Sequence, residues 1–265
     1  MNFLRHLNFD KAALSLISVT TVGILGEAST RTNLKDAQNA RECRYPPLSK
    51  YITEEHIREL EEMNVVVIHN VLSDVTLQGA RDDIINTLRS DLNTSNHQND
   101  SDIRQDQTLS IRENNPDYDH GDELIHCIKL LRGIPFILEK FGYSTSKDHV
   151  VPQQCQLSRY LPNGSIYVRH LDRCNSSLSE MGLLGWLRSS DYRHRVVTAI
   201  LYLNVPKWDS GGELRLFDDD ENHRDVIPNG GKLIIFDSSK VEHQVLASQD
   251  ERYALTCWFT GEMTL

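Results

Sequence analysis

The sequence has no Cys-x-x-Cys pair. Its five cysteines, Cys43, Cys127, Cys155, Cys174 and Cys257, are odd in number and far apart. That spacing argues against a disulfide framework or a cysteine-rich zinc site and makes reduced thiols the default. His-Glu-x-x-His is also missing, which removes the helical zinc-hydrolase motif. Past the N-terminus there is no run of 18 apolar residues, hence no internal membrane-spanning helix. Basic charge is scarce: 28 Lys+Arg face 38 Asp+Glu, for a net charge of −10. A nucleic-acid groove needs clustered Lys and Arg, so that class of partner is not expected. With 14 Gly and 8 Pro in 265 residues and no internal repeat, collagen-like, coiled-coil and wholly disordered readings are excluded as well.

What is present is an ordinary globular balance, 39% hydrophobic and 25% charged, in a chain long enough to bury a real core. The first 48 residues stand apart. Ala12 to Leu25 is mostly apolar, follows Arg5 and Lys11, and precedes the small-residue run Gly26-Glu27-Ala28-Ser29. This reads as a leader or a disordered extension, and residues 30–48, ending in Pro46-Pro47, as a linker. An organellar or secretory destination follows if the leader is real, a cytoplasmic or nuclear one if it is not. The sequons at Asn93, Asn99, Asn163 and Asn175 carry weight only in the secretory case.

Residues 49–150 read as helical. Thr53 followed by Glu54-Glu55 predicts a capped helix carrying Ile57, Leu60 and Met63 at helical spacing. Val65–Ile68 is β-branched and predicts a buried strand. Asp74 is placed as the cap of a second helix with a stripe of Leu77, Ala80, Ile84, Ile85 and Leu88. The polar stretch 93–118 reads as one long loop. A third helix is expected from Gly121 to Phe141, interrupted near Gly133 and Pro135. From residue 151 to 262 the texture changes. Short apolar runs at Cys155–Leu161, Tyr167–Leu171, Val196–Leu203, Glu213–Phe217, Lys232–Phe236, Val241–Leu246 and Arg252–Phe259 alternate with Gly and Asn turns. That rhythm predicts a β-barrel or jelly roll, so the chain is α+β, with the helices supporting the β core.

Chemistry concentrates in the second half. His170 and Asp172 are two apart on an extended run, so both side chains face the same way and can converge on one ion. His243, set between apolar residues, is a candidate second imidazole; alone, it reads first as a hydrogen-bonded core histidine. Two histidines and a carboxylate with open positions form the facial triad of non-haem Fe(II) oxygenases. The remaining histidines, among them His120 and His126, are expected in solvent. Arg252 opens the apolar run Arg252–Phe259, and period two puts Arg252, Ala254, Thr256 and Trp258 on one face. An inward guanidinium requires an anion and suits a carboxylate; an outward one is a solvated strand end.

Taken in order, these segments resemble the 2-oxoglutarate- and Fe(II)-dependent dioxygenases of the prolyl 4-hydroxylase type, and in particular the hypoxia-inducible-factor prolyl hydroxylases. The resemblance is carried by Ser158–Asp172 (SRYLPNGSIYVRHLD), Leu201-Tyr202-Leu203-Asn204, Gly211-Gly212-Glu213-Leu214-Arg215, His243 and Arg252-Tyr253-Ala254-Leu255-Thr256. Asp102-Ile103-Arg104-Gln105-Asp106 is similar to a segment ahead of that family's core. The resemblance implies a double-stranded β-helix (jelly-roll, cupin-like) core. It implies Fe(II) held by His170, Asp172 and His243, with 2-oxoglutarate anchored by Arg252. It implies further co-substrate contacts from Tyr160, Tyr202, Thr256 and the pocket wall Leu214. O2 as oxidant, L-ascorbate as supporting reductant, and a protein or peptide substrate hydroxylated on proline with release of succinate and CO2 follow from the same source.

Arg195 is placed either as a substrate-contacting arginine or as a surface residue. The sequence departs from the family pattern in a longer segment at 173–195. That segment opens two alternatives: the same chemistry on a small molecule or another side chain, or a non-catalytic metal-binding scaffold. Cys174, beside Asp172, reads as a bystander.

Overall fold

The computed structural model describes residues 47–91, 103–113, 120–143, 152, 154–162, 164–173, 194–218 and 221–261. The expected leader, Cys43, Cys174 and most of the 173–195 segment lie outside these residues.

A single 3-10 turn at Leu48–Lys50 leads into α1 (Glu54–Met63). The Thr53 hydroxyl accepts from the backbone of His56, whose ring accepts in return from the Thr53 N–H. This reciprocal cap satisfies two otherwise orphaned donors. Ile57 and Leu60 are buried, whereas Met63, expected on the same stripe, projects into solvent. Strand β1 (Val65–Ile68) follows, and then α2 (Asp74–Asp91). Ser73, not Asp74, is the cap: its hydroxyl accepts from the Thr76 N–H at 3.1 Å, which leaves Asp74 to meet the positive end of the helix. Leu77, Ala80 and Ile84 are buried, while Ile85 lies toward solvent. The third helix divides at Gly133 into α3 (Asp122–Arg132) and α4 (Ile134–Lys140). Gly121 at the start of α3 has no side chain to cap with. Asp83 of α2 does so across the interface, accepting from Glu123 and Leu124 N–H groups at 3.0 Å each.

The strands form two antiparallel sheets. Six strands run in the order β1-β8-β5-β10-β3-β2 and four in the order β4-β9-β6-β7. Their ranges are β2 Gln107–Arg112, β3 Gln154–Tyr160, β4 Tyr167–His170, β5 Arg195–Tyr202, β6 Leu214–Phe217, β7 His223–Val226, β8 Leu233–Asp237, β9 His243–Val245 and β10 Arg252–Thr260. Two of these contradict the expectations. β2 sits inside the stretch read as one long loop, and β7 is absent from the predicted runs. Both are edge strands with little burial. Of β2 only Ile111 is buried, and of β7 only Val226, so the apolar signal of each is weak.

Period-two alternation divides the large sheet's side chains between two cores. Leu201, Leu255, Ile235 and Phe259 point outward and pack with helix residues such as Leu60, Ile84, Leu124 and Leu131. Tyr160, Ile200, Tyr202, Ile234, Phe236 and Ala254 point inward, against Leu214, Leu216, Val226 and Val245 of the small sheet. The result is a double-stranded β-helix with helices covering the larger sheet. Among the described residues no element covers the small sheet's outer face, and the site lies between the two sheets.

Candidate metal centre and the pocket beside it

His170 and His243 face each other as a cross-strand pair between β4 and β9, with ring centroids 4.3 Å apart. Each ring places Nδ1 near the carbonyl two residues earlier: 2.8 Å to Val168 O for His170 and 3.1 Å to Val241 O for His243. A carbonyl only accepts, so each Nδ1 must carry the proton. Both Nε2 lone pairs are therefore turned toward the interior and ready for a cation. Asp172 completes the group. Its Oδ1 lies 3.8 Å from His170 Nε2 and its Oδ2 lies 3.8 Å from His243 Nε2. The three ligand atoms all fall within 4.8 Å of one another. Tyr167 stacks on His170 at 3.8 Å and Phe236 meets His243 edge-on at 4.9 Å, which fixes both rings.

The electrostatics suit the same use. Burial, and then the neighbouring His243, lower the His170 pKa to about 4, so that imidazole is neutral at pH 7. Burial pushes the Asp172 carboxyl up, but the two histidines, Arg195 and the Thr198 hydroxyl outweigh it and hold it below its ordinary value. An imidazole kept neutral and a carboxylate kept charged, both mostly out of water, are in the protonation states a divalent ion needs. The donor set of two nitrogens and one oxygen, on one side of a cavity with room opposite, fits Fe(II).

Arg252 opens β10 and is 1% exposed. Its Nε donates to Gly212 O at 2.8 Å, and one terminal nitrogen donates to the Tyr202 hydroxyl at 3.3 Å. The guanidinium lies between the Tyr160 and Tyr202 rings, 4.8 and 4.9 Å from their centroids. Among the described residues no carboxylate lies within ion-pair distance of it. A buried cation held this firmly without a counterion is a receptor for an anion. Gly212 (φ +69°) is what allows the approach, since a Cβ there would stand 2.8 Å from Arg252 Cδ.

One cavity connects the two features. Tyr160, Leu214, Ala254, Thr256 and Trp258 line it together with the triad and Arg252, so the predicted face of β10 does point into the site. Tyr202 stands behind Arg252 instead of on the cavity wall. Arg195 is drawn inward: its guanidinium covers the Trp258 ring at 4.0 Å and reaches to 3.9 Å from Asp172 Oδ1.

Arg104, Gln156 and Ser158, to which the sequence assigned no role in the site, also line the cavity. Gln156 and Ser158 share the face of Tyr160 by period two, a signal that was available. Arg104 was not findable this way. It arrives through a bridge to Tyr167 and is held by the fully buried Asp106. His120 and His126, expected in solvent, are buried at 3% and 6% exposure in the helical part of the chain. There the Thr87 hydroxyl lies 3.4 Å from His120 Nδ1.

Residues 155–260 match the family model described as the 2OG-Fe(II) oxygenase superfamily. Among solved structures, a prolyl-4-hydroxylase from Pseudomonas putida is similar at 25% identity. The alignment covers 79% of this chain and 99% of that one, with a TM-score of 0.59. A Trichoplax adhaerens prolyl hydroxylase, solved with a hypoxia-inducible-factor oxygen degradation domain peptide, shares the fold at 22% identity, 77% and 87% coverage and a TM-score of 0.58. A non-haem α-ketoglutarate-dependent carbocyclase of nogalamycin biosynthesis shares it at 14% identity, 82% and 87% coverage and a TM-score of 0.55. Comparison with curated protein sequences finds no match.

Proposed function

We propose that this member of the 2OG-Fe(II) oxygenase superfamily, prolyl 4-hydroxylase in type, hydroxylates peptidyl proline and releases succinate and CO2. The observation that carries the reading is the convergence, in one cavity, of two imidazoles and a carboxylate with a buried arginine that has no carboxylate partner among the described residues. The prolyl-4-hydroxylase likeness at 25% identity supports the choice of proline.

In this reading His170 Nε2, His243 Nε2 and the Asp172 carboxylate hold Fe(II). Arg252 takes the far carboxylate of 2-oxoglutarate through the donors that Gly212 and Tyr202 leave over. Fe(II) with 2-oxoglutarate and O2 supplies the oxidising chemistry. The chain supplies the rest. The Tyr160 and Tyr202 rings lie close to the guanidinium, and the Tyr202 hydroxyl accepts from it. Leu214 and Val245 keep the co-substrate's carbon chain out of water. Thr256 offers a hydroxyl on the same face. L-Ascorbate would serve as the supporting reductant, and residues 49–150 and 151–262 would act as one catalytic domain around their shared outer core.

Hydroxylation of prolyl peptides, read by mass shift and matched by succinate release, tests this directly. Asp172→Ala is expected to abolish both signals, and undiminished hydroxylation in that variant would sink the reading. A second substrate class has one specific observation behind it. Gln156, Ser158 and Arg104 make one wall of the cavity polar, where a bare prolyl ring has nothing to bond. Succinate release with a small polar metabolite but with no prolyl peptide favours that alternative.

A further inference from the structure

The Asp172 carboxylate has a built support. Thr198 lies on β5 opposite Trp258 on one side and Phe236 on the other, and is fully buried. Its inward neighbours on the strand by period two are Ile200 and Tyr202, so a threonine hydroxyl here faces an otherwise largely apolar core. A hydroxyl in that setting is costly unless bonded. It is bonded twice: Thr198 Oγ1 is 2.7 Å from Asp172 Oδ2 and 2.8 Å from Ser238 Oγ.

Proton counting gives the direction. A carboxylate only accepts, so the single Thr198 hydrogen goes to Asp172. The Thr198 oxygen must then accept from Ser238, whose hydroxyl is the donor. Ser238 is itself fully buried and is pinned by its backbone. Its N–H donates to Val196 O at 3.1 Å, and its carbonyl accepts from the N–H of Arg173, the residue after Asp172, at 2.9 Å. Serine, threonine and the turn carrying the aspartate thus form one closed unit.

We propose that Ser238→Thr198→Asp172 is a directional hydroxyl relay that orients the carboxylate for the metal. It occupies one lone pair of Oδ2 and fixes the plane of the group. Thr198 and Ser238 are then positioning residues for the centre, and neither is a ligand. The inference rests on the metal-centre reading above and adds two residues to it. Arg195 bears on the same carboxylate only at 3.9 Å, so it guides by charge, while Thr198 guides by direction.

The test is Co(II) affinity of the metal-free full-length chain, read from the visible bands of bound Co(II) against a competing chelator. Thr198→Val keeps the shape and removes the hydroxyl. It is expected to weaken Co(II) binding by about 10–100-fold, the range for loss of a ligand's hydrogen-bonding partner. Thr198→Ser keeps the hydroxyl and is expected to stay within about threefold of wild type, a rescue that a purely packing role cannot produce. Ser238→Ala removes the first donor and is expected to fall between the two. Thermal unfolding of each metal-free variant separates lost affinity from lost fold. Wild-type affinity in Thr198→Val, or equal loss in Thr198→Val and Thr198→Ser, overturns the relay while leaving the metal centre standing. A wild-type chain that binds no Co(II) overturns the centre and the relay together.

Discussion

The two sheets of this molecule are built on different terms. The six-stranded sheet is covered on both faces, and its central strands β5, β8 and β10 are buried along almost their whole length. Among the described residues the four-stranded sheet is covered on one face: β6 alternates buried and half-buried residues, and β7 is mostly exposed. Function divides along the same line. The small sheet and the turn after β4 supply His170, His243 and Asp172. The large sheet supplies Arg252, Tyr160, Tyr202 and Thr256, and Thr198 behind Asp172. In the proposed reading the metal ligands therefore come from the thin layer, and the co-substrate anchor and the supports from the thick one. A large buried sheet can hold an uncompensated guanidinium in place. A thin sheet needs only to aim three side chains, because a metal ion would itself tie them together.

This difference can be broken or sharpened by substitution. The largest effect is expected from Asp172→Ala, which removes the one charged ligand. Fe(II)-dependent 2-oxoglutarate turnover should fall to background, while denaturant unfolding of the metal-free chain changes far less. Leu201→Ala, on the covered face of the large sheet, reverses the pattern. It should cost about 2–5 kcal/mol of stability in a urea titration, the usual range for an emptied leucine site. Gly212→Ala places a Cβ against Arg252 in a left-handed backbone, a strain of about 1–2 kcal/mol. Its sharper readout is 2-oxoglutarate affinity, which should drop while metal affinity holds. Arg215→Ala, which breaks the partly exposed pair with Asp225 on the small sheet's outer face, should change stability by about 1 kcal/mol or less. An Arg215→Ala cost matching that of Leu201→Ala would erase the distinction between the layers.

The ligand set also gives a pH signature. In the folded chain His170 has a pKa of about 4, lowered by burial and by His243, against 6.5 ordinarily. Between those values the unfolded chain binds a proton that the folded chain does not. Stability of the metal-free protein therefore falls as pH drops from 6.5 toward 4. Melting temperatures across that interval should show the loss, and His170→Gln should flatten it.

The same two-layer contrast explains what the sequence disclosed. Val196–Leu203 and Lys232–Phe236 were legible because strands buried on both faces read as continuous apolar runs. The triad was legible because His170 and Asp172 are two apart at the end of an extended run, and because His243 sits in an apolar frame. β7, written His223-Arg224-Asp225-Val226, gave nothing to read because it turns three of its four side chains to water. β2 hid for a similar reason, as an edge strand in a polar stretch. Thr198 and Ser238 were invisible as a pair, since they are 40 residues apart and meet only through the pairing of β5 with β8. Arg104 entered through a bridge that no periodicity encodes.

The central claim is that an Fe(II) centre on the thin layer and an arginine on the thick layer share one bound molecule. Anaerobic titration of the metal-free chain with Fe(II) and then 2-oxoglutarate, in wild type and Arg252→Ala, tests it most directly. The account predicts a visible charge-transfer band in wild type, reached in Arg252→Ala only at much higher 2-oxoglutarate, with Fe(II) affinity unchanged. A band that forms equally well in both proteins, or in neither while both remain folded, contradicts it.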